Sequence, residues 1–456
     1  MPGAQLHSRY NPQAEAVRYI DSLDIKNNIE CFILIEPGVG YIIPALREKF
    51  KGSKIIALHV DESFPSTEVP TLNSTDEVSV QNFLEKEVPD TDAQNIRVIE
   101  WRPSMNYYKE AYVKLLSQTV EFIKRIDAGK KTVSAFGRRW VRNFFRNIGN
   151  IQKTLLYKEM ENPVIITGSG PSLEKALPVI RNMREGSLIL ASSSSVAALV
   201  HYGIQADIVI TTDGGIWALK HIYPYIRNFS GAGIAANLCA ALPSQCGVIP
   251  HLLMNDGSYW QTIILHELNL PSVVIPQRGT VTASAVELAM ALSSGKIYLA
   301  GMDLSVRDIR THIKPYSFDY LLFNNACRIS PAYSKSFFRS RMIQGGSLEI
   351  YAAWFKKQLA SWPKRIFSIT GNHEVFENAP FPEIPTLKNT DSYFKIIPVK
   401  DDPANFCKRG KAALINAIRD SAFADNIKKE LMPMLFPTEK KVTDSEFEKA
   451  IEASCG

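Results

Sequence analysis

The sequence predicts an α/β protein: a Rossmann-like parallel sheet with helices on both faces, preceded by a smaller α/β domain and followed by a helical carboxyl-terminal segment. Three observations carry this assignment. Short continuous apolar runs such as Cys31–Ile35, Val164–Ile166, Leu188–Ala191 and Ile297–Ala300 recur along the chain, as expected of strands buried on both faces. Helical segments separate most of these runs, which favours parallel pairing through crossovers. Two of the runs end in glycine turns that open helices, the arrangement found where open α/β sheets bind ligands.

In chain order, Asn11-Pro12 followed by Ala14, Ala16, Val17 and Ile20 predicts a capped helix. The run Cys31–Ile35 then gives a strand, Glu36-Pro37-Gly38-Val39-Gly40-Tyr41 a turn into a helix ending near Phe50, and Lys54–Val60 a second strand ending at Asp61-Glu62. This is half a Rossmann-like unit, but its turn holds only G-x-G and is read first as a structural tight turn. Residues 1–103 form the expected amino-terminal domain. Residues 104–160 are expected as a helical bridge, with Tyr107, Tyr108, Tyr112, Val113, Leu116, Val120 and Phe122 at helical spacing.

The central domain is expected over 161–380. Its strands are Pro163–Thr167, Ser187–Ala191, Asp207–Thr211, Val248–Leu253, Ser272–Ile275 and Lys296–Ala300, with a late strand at Arg365–Thr370. Residues 303–346 are irregular and polar, too long for a simple connection, and are expected to form a lid. The remainder, 381–456, is expected to be mostly helical.

A chain of 456 residues exceeds one ordinary core, so two domains and an appended segment are the natural division. Fifty-two Lys and Arg against 46 Asp and Glu give a net charge of +6, which suits an anionic substrate without demanding nucleic acid. Part of that excess, Arg138, Arg139, Arg142 and Arg146 interleaved with Trp140, Phe144 and Phe145, is read first as a solvated helix flank. The six cysteines form no C-x-x-C pair and no zinc-like cluster. No secretory signal and no long apolar run is present, so the expectation is a cytoplasmic protein with no membrane partner and no nucleic-acid partner.

The turn Gly168-Ser169-Gly170-Pro171-Ser172-Leu173 is the leading candidate site. Gly168 and Gly170 let backbone approach a phosphate or base, Pro171 suits a first helical turn, and Ser172 adds a hydroxyl at the positive helix end. The expectation is that this turn rims the largest cavity, and that Gly170→Val abolishes nucleotide binding in a folded protein.

The strings Ile166–Leu173, Leu190-Ala191-Ser192-Ser193-Ser194-Ser195, Ala206-Asp207-Ile208-Val209 and Lys296–Leu304 together resemble the Maf-type motility-associated glycosyltransferases and the related MptE-like hydroxymethylpterin pyrophosphokinase domain. Tyr10-Asn11-Pro12 and Gly38-Val39-Gly40-Tyr41 extend the resemblance over roughly residues 8 to 380. Ala206 departs from it, where the family more often has proline. The core is also similar to bacterial sialyltransferases that use CMP-activated sugars, with Gly301-Met302-Asp303 preceding Tyr316-Ser317-Phe318-Asp319. That resemblance implies that Tyr316 hydrogen-bonds the leaving phosphate, Tyr316→Phe lowering turnover by about 10²-fold or more. The sialyltransferase turn has Asn where this chain has Ser169, and its catalytic histidine follows the tyrosine motif, where this chain offers none before His373. His312, just ahead of Tyr316, is the nearby candidate base.

Further candidates lie at strand ends. Ser193 and Ser194 are expected at the nucleotide. Asp213 is a carboxylate for a ribose hydroxyl, an acceptor or a metal, with helix capping as the alternative; Asp256 is read first as a cap, with substrate binding as the alternative; Asp303, at a strand end, is a candidate catalytic carboxylate. Arg278, Gly279 and Thr280 open another helix, and Arg278 could hold a carboxylate or phosphate. Gly371-Asn372-His373-Glu374 could line the acceptor side or be an ordinary loop.

Three functions remain open from the sequence. The first is transfer of a nonulosonic-acid-like sugar from a CMP donor to Ser or Thr hydroxyls of a flagellin-like protein, with no certain cofactor and no metal site. The second is an Mg²⁺-dependent pyrophosphokinase acting on a small alcohol such as a hydroxymethylpterin. The third is a non-catalytic nucleotide-binding accessory of flagellar subunits.

Overall fold

The computed structural model describes residues 6–25, 28–64, 68–88, 93–305, 310–334, 337, 347–370, 373–379, 393–399, 402–420, 422–437 and 442–455. The chain folds into two compact units, Met1–Val133 and Ser134–Gly456. The division therefore falls thirty residues beyond the expected edge of the amino-terminal domain, inside a single helix.

In the first unit, α1 (Pro12–Ser22) begins as anticipated, the Asn11 side chain accepting a 2.8 Å bond from Ala14 N. There follow β1 (Cys31–Ile35), α2 (Ile42–Lys49), β2 (Lys54–His59), β3 (Thr71–Asn73), α3 (Glu77–Glu87), β4 (Ile96–Glu100) and α4 (Arg102–Tyr108). The strands are all parallel, in the order β3-β2-β1-β4. Alternate residues feed two cores: Phe32, Leu34, Ile55, Ala57 and Ile99 pack with α1 and α2, while Cys31, Ile33, Ile35, Ile56 and Leu58 pack with α3 and with Tyr112 and Leu115. The chain leaves this unit through α5 (Glu110–Ile148), a helix of 39 residues.

The second unit contains β5 (Lys153–Tyr157), β6 (Val164–Thr167), α6 (Leu173–Met183), β7 (Leu188–Ser192), α7 (Val196–His201), β8 (Ile208–Thr211), α8 (Leu219–Arg227), β9 (Gly233–Asn237), β10 (His251–Asn255), α9 (Tyr259–Glu267), β11 (Ser272–Val274), α10 (Val281–Leu292), β12 (Ile297–Ala300), α11 (Asp319–Asn324), α12 (Ser347–Leu359), β13 (Ile366–Ser368), β14 (Phe394–Pro398), α13 (Pro403–Asp420), α14 (Ala424–Leu435) and α15 (Asp444–Glu452). Its ten-stranded sheet runs β13-β12-β6-β7-β8-β9-β10-β5-β14, with β11 beside β10. Every pairing is parallel except that of β14 with β5. Separate apolar cores cover the two faces, as the expected fold class requires.

Three expectations need correction. The bridge is not helical throughout, because Leu155 is buried in the sheet and β5 pairs with both β10 and β14. The carboxyl-terminal segment is mostly helical, as expected, but it is not appended: β14 closes the sheet edge, and α13 to α15 share a core with Phe144, Phe145, Trp260 and Ile264. The strand expected at Val248–Leu253 begins at His251, since Ser244–Val248 forms a 3-10 turn. The arginine-rich stretch of α5 serves structure in part: Arg138 Nε donates to Leu435 O at 2.8 Å, and Arg146 Nη2 reaches Leu242 O.

Asp207, within one of the resemblance motifs, also acts structurally. It accepts from both terminal nitrogens of Arg184, at 3.0 and 2.6 Å, and from Ile189 N at 2.7 Å, tying β7 to β8. Among the described residues no helix is long and apolar enough to cross a membrane.

Candidate functional site

β6 is flanked by β7 on one side and by β12 on the other. The chain builds outward from β6 through β7, β8 and β9, then returns to add β12 on the opposite flank. That reversal leaves a crevice beyond the carboxyl ends of β6 and β12, the place where open α/β sheets receive ligands. Both strands end in glycine turns, Gly168–Ser172 and Gly301–Asp303.

The two turns are bonded to each other. Gly168 N donates to Ala300 O at 2.7 Å and Gly170 N to Gly301 O at 2.8 Å. Ser172 N donates to Asp303 Oδ2 at 3.0 Å. A Cβ on Gly168 would lie 2.5 Å from Gly301 O, and one on Gly170 would fall on the Asp303 carboxylate and 2.7 Å from Gly301 O. These glycines are thus required by the contact between two backbones. The expectation that Gly170 is small to admit a ligand is revised accordingly.

Asp303 is 7% exposed, and its carboxylate occupies the amino end of α6. The positive helix end, which the sequence offered to a ligand phosphate, is already engaged through Ser172 N–H by the protein's own anion. Ser172 and Pro171 are buried behind the turn, while Gly168, Ser169 and Gly170 face the crevice.

The crevice encloses about 250 Å³, lined by the two turns and by Ser192, Ser194, Thr280, Thr282, Ser305, Thr311, His312 and Tyr351. Hydroxyls are the commonest polar groups of this wall, beside the apolar Val281, Met302, Leu304 and Leu348. Thr280 caps α10, accepting from Thr282 N at 3.1 Å, and its Oγ1 lies 2.7 Å from Thr282 Oγ1. Of the serine run, Ser192 and Ser194 line the crevice; Ser193 is buried outside it, and Ser195 bonds Thr167 Oγ1 at 2.8 Å to anchor the turn. Among the described lining residues Asp303 is the sole carboxylate, and no lysine or arginine is present. No group of three or more His, Cys, Asp or Glu among the described residues could hold a metal ion.

Part of the expected lid is described. Ile313 N donates to Ser169 O at 2.8 Å, and Arg310 Nη1 reaches both carboxylate oxygens of Glu174, so the segment clasps the turn and α6. His312 lies on the crevice wall, its Nδ1 2.9 Å from Thr311 Oγ1. Tyr316 does not line the crevice; its ring stacks on His312 with centroids 3.9 Å apart and planes 8° from parallel. Behind it stand Phe318, His221 and Trp217, with His221 within 5.2 Å of Tyr316 and 4.8 Å of Phe318. Burial pushes the His221 imidazolium down to about 4, against the opposing pull of Asp213. Asp319 accepts from Tyr316 N at 2.8 Å and its own N–H donates to Tyr316 O at 2.9 Å, so the Tyr-x-Phe-Asp motif is a hydrogen-bonded turn leading into α11.

Several expected ligands lie elsewhere. Asp213 Oδ1 accepts from Gly215 N at 2.8 Å in an exposed turn. Asp256 accepts from Ser258 N and from Gln261 Nε2, at 3.0 and 2.8 Å, while Glu430 accepts from Tyr259 N and Trp260 N at the amino end of α9. Arg278 is paired with Glu287 at 2.8 Å, and Gly279 beside it has a positive φ of 73°. None of these four lines the crevice. Gly371 and Asn372 lie outside the described residues. His373 is a fastener: Nε2–H donates to Met302 O at 2.7 Å, while Nδ1 accepts from Val375 N and Phe376 N, which fixes the tautomer. The crevice is also not the most voluminous depression. One of about 800 Å³ lies against Lys49–Lys54 in the first unit, at the amino ends of β1 and β2, the end such sheets do not use for ligands.

The fold and site define a Rossmann-like α/β unit with a hydroxyl-walled crevice at its topological switch point. Residues 139–308 match the family described as 6-hydroxymethylpterin diphosphokinase MptE-like. The chain carries an MptE-like domain, as the motifs implied. Among solved structures, the MAf glycosyltransferase from Magnetospirillum magneticum AMB-1 shares the fold with a TM-score of 0.55 at 12% identity, over 100% of this chain and 80% of that one. Two uncharacterized proteins of Treponema pallidum (strain Nichols) are similar in sequence: one is 27% identical over 61% of this chain, the other 28% identical over 25% of it. The chain spans 60% and 55% of the length of these two relatives.

Proposed function

We propose that the second unit is a glycosyltransferase that takes a nucleotide-activated sugar in the β6/β12 crevice. The observation that carries this reading is the wall itself: many hydroxyls, one carboxylate and no lysine or arginine among its described residues, at the ligand end of the sheet. Such a surface suits the hydroxyls of a sugar and a ribose better than the concentrated charge of a triphosphate. The donor is a CMP-activated nonulosonic-acid-like sugar, and the acceptor a Ser or Thr hydroxyl of a flagellin-like protein; both choices rest on the motif resemblance, and the shared fold supports the general activity.

In the proposed reaction the acceptor oxygen attacks the anomeric carbon with inversion. The bond from that carbon to the CMP phosphate oxygen breaks, and its electron pair leaves with CMP. His312, on the wall, donates to the oxygen on which charge develops. Asp303 receives the acceptor proton. Tyr316 and Thr311 hold the imidazole by stacking and by hydrogen bonding.

The description of the matching family keeps a diphosphokinase as the second reading. Thermal melting of the full chain with CMP, UDP, or ATP plus Mg²⁺ separates the two, because only a ligand of the folded state raises the transition. Stabilisation by CMP without metal, together with release of CMP from a CMP-sugar in the presence of a hydroxyl acceptor, supports the transferase. Stabilisation by ATP only with Mg²⁺, and none by CMP, overturns it.

A further inference from the structure

The first unit has its own switch point. β1 lies between β2 and β4, and the chain reaches β4 only after building β2 and β3 on the other flank. Glu36-Pro37-Gly38-Val39-Gly40-Tyr41 leaves β1 at that end of the sheet. Its glycine turn is filled by a side chain of the same unit: a Cβ on Gly38 would fall on His7 Nε2, and Val39 N donates to that nitrogen at 3.1 Å.

The His7 ring sits in an aromatic setting. Its centroid is 5.0 Å from Tyr41, edge to face, and 5.3 Å from Trp101 at an interplanar angle of 31°. Trp101, only 2% exposed, donates Nε1–H to Leu6 O at 2.8 Å and so fixes the segment that delivers the imidazole. Burial lowers the His7 pKa, keeping the ring neutral and Nε2 an acceptor.

A planar nitrogen heterocycle, accepting from a glycine-turn amide beside two aromatic rings at a switch point, presents the contacts that adenine would make with its five-membered ring and N7. We propose that this turn is a second ligand site, for a purine nucleoside, held closed by His7. An independent feature at the same sheet end points the same way. His59 is fully buried, with Nδ1 2.8 Å from Glu36 Oε1, and its Nε2 has no hydrogen-bond partner among the described residues. Glu36 itself is held at a positive φ of 46° and accepts from Val60 N at 2.6 Å. A buried imidazole nitrogen braced by a carboxylate is a ready partner for a ribose hydroxyl.

The test uses the full chain as wild type, His7→Ala and His7→Phe, with tritiated adenosine in equilibrium dialysis. At an adenosine concentration too low to displace the ring of the wild type, His7→Ala should bind about one equivalent more than wild type, whereas His7→Phe should keep the turn filled and gain none. Equal stoichiometry in wild type and a folded His7→Ala protein overturns the site, as does an extra equivalent in His7→Phe. In wild-type protein, millimolar adenosine should shift the His7 imidazole NMR resonances as the ring is displaced; unmoved resonances at saturation overturn it even if His7→Ala does not fold. Because the readout is the difference between proteins with identical second units, it is independent of what the β6/β12 crevice binds.

Discussion

Replacing Gly170 by alanine tests the claim that the two glycine turns of the second unit are built against each other. The added methyl would fall on the Asp303 carboxylate and 2.7 Å from Gly301 O. Neither neighbour can swing away, because Gly301 O accepts from Gly170 N and Asp303 Oδ2 accepts from Ser172 N. Overpacking of this kind costs about 1–3 kcal/mol. Driving the carboxylate off Ser172 N adds about 1.5–3 kcal/mol, the usual range for a hydrogen bond to a charged group. Against a typical total of 5–15 kcal/mol this is a large fraction. At about 2–4 °C per kcal/mol, the melting temperature should fall by roughly 5–24 °C. Circular dichroism melting reads this directly, with Ser169→Ala, whose side chain lines the crevice, expected within about 2 °C of wild type. A Gly170→Ala protein that melts with wild type would show slack between the turns and refute the argument. For the same reason, lost nucleotide binding in Gly170→Val would report a collapsed crevice and not a blocked ligand contact.

The remaining predictions concern chemistry and pH. His312→Gln should lower turnover of an activated sugar by about 10²-fold or more, while Tyr316→Phe, which keeps the stacked ring, stays within a few fold; steady-state kinetics with saturating donor would reverse the assignment if Tyr316→Phe carried the loss. Asp303→Asn retains an acceptor for Ser172 N and should cost only about 0.3–1 kcal/mol of stability, yet reduce turnover by about 10²–10⁴-fold; unchanged kcat would remove Asp303 from proton transfer. His251 is buried at the start of β10, and burial pushes its pKa from 6.5 down to about 4. Its neutral form is favoured by folding, so stability is complete above pH 6.5, falls as pH drops from 6.5 toward 4, and levels off below, by about 3 kcal/mol in all. His251→Leu should flatten that part of the denaturant-midpoint profile, and an unaltered slope would show that another group dominates.

The strands that were legible in the sequence are those buried on both faces, because an unbroken apolar run needs no partner to be recognised. β9, Gly-Ile-Ala-Ala-Asn, escaped because glycine and alanine carry little strand propensity, and it is defined by its neighbours β8 and β10. β5 escaped because Lys-Thr-Leu-Leu-Tyr follows closely on a long helix and gains strand character only through pairing with β10 and β14. At the site, the glycine turn was legible, but its partner was not. Asp303 caps a helix that begins 131 residues earlier, a relation no local pattern encodes. The choice of Ser192 and Ser194 over Ser193 likewise depends on where a 3-10 turn places alternate hydroxyls. Asp213 and Asp256 were plausible as ligands for the same reason that they serve as local partners: short polar side chains at strand ends find the nearest amide first; Arg278 is instead taken by the Glu287 carboxylate nine residues on.

The antiparallel seam between β5 and β14 also bears on synthesis. Thr154 and Ile397, which meet across it, are 243 residues apart in the chain. At the usual elongation rate the ribosome needs roughly 10–50 s to supply the second after the first. Throughout that interval the nascent β5 edge, with Leu155 destined for the core, has open amides and carbonyls and only β10 on its other side once that strand emerges. Such an edge invites intermolecular strand pairing. A chain interrupted between α12 and β14 would carry a nearly complete crevice on an unsealed sheet, and its expected fate is aggregation or capture by a chaperone.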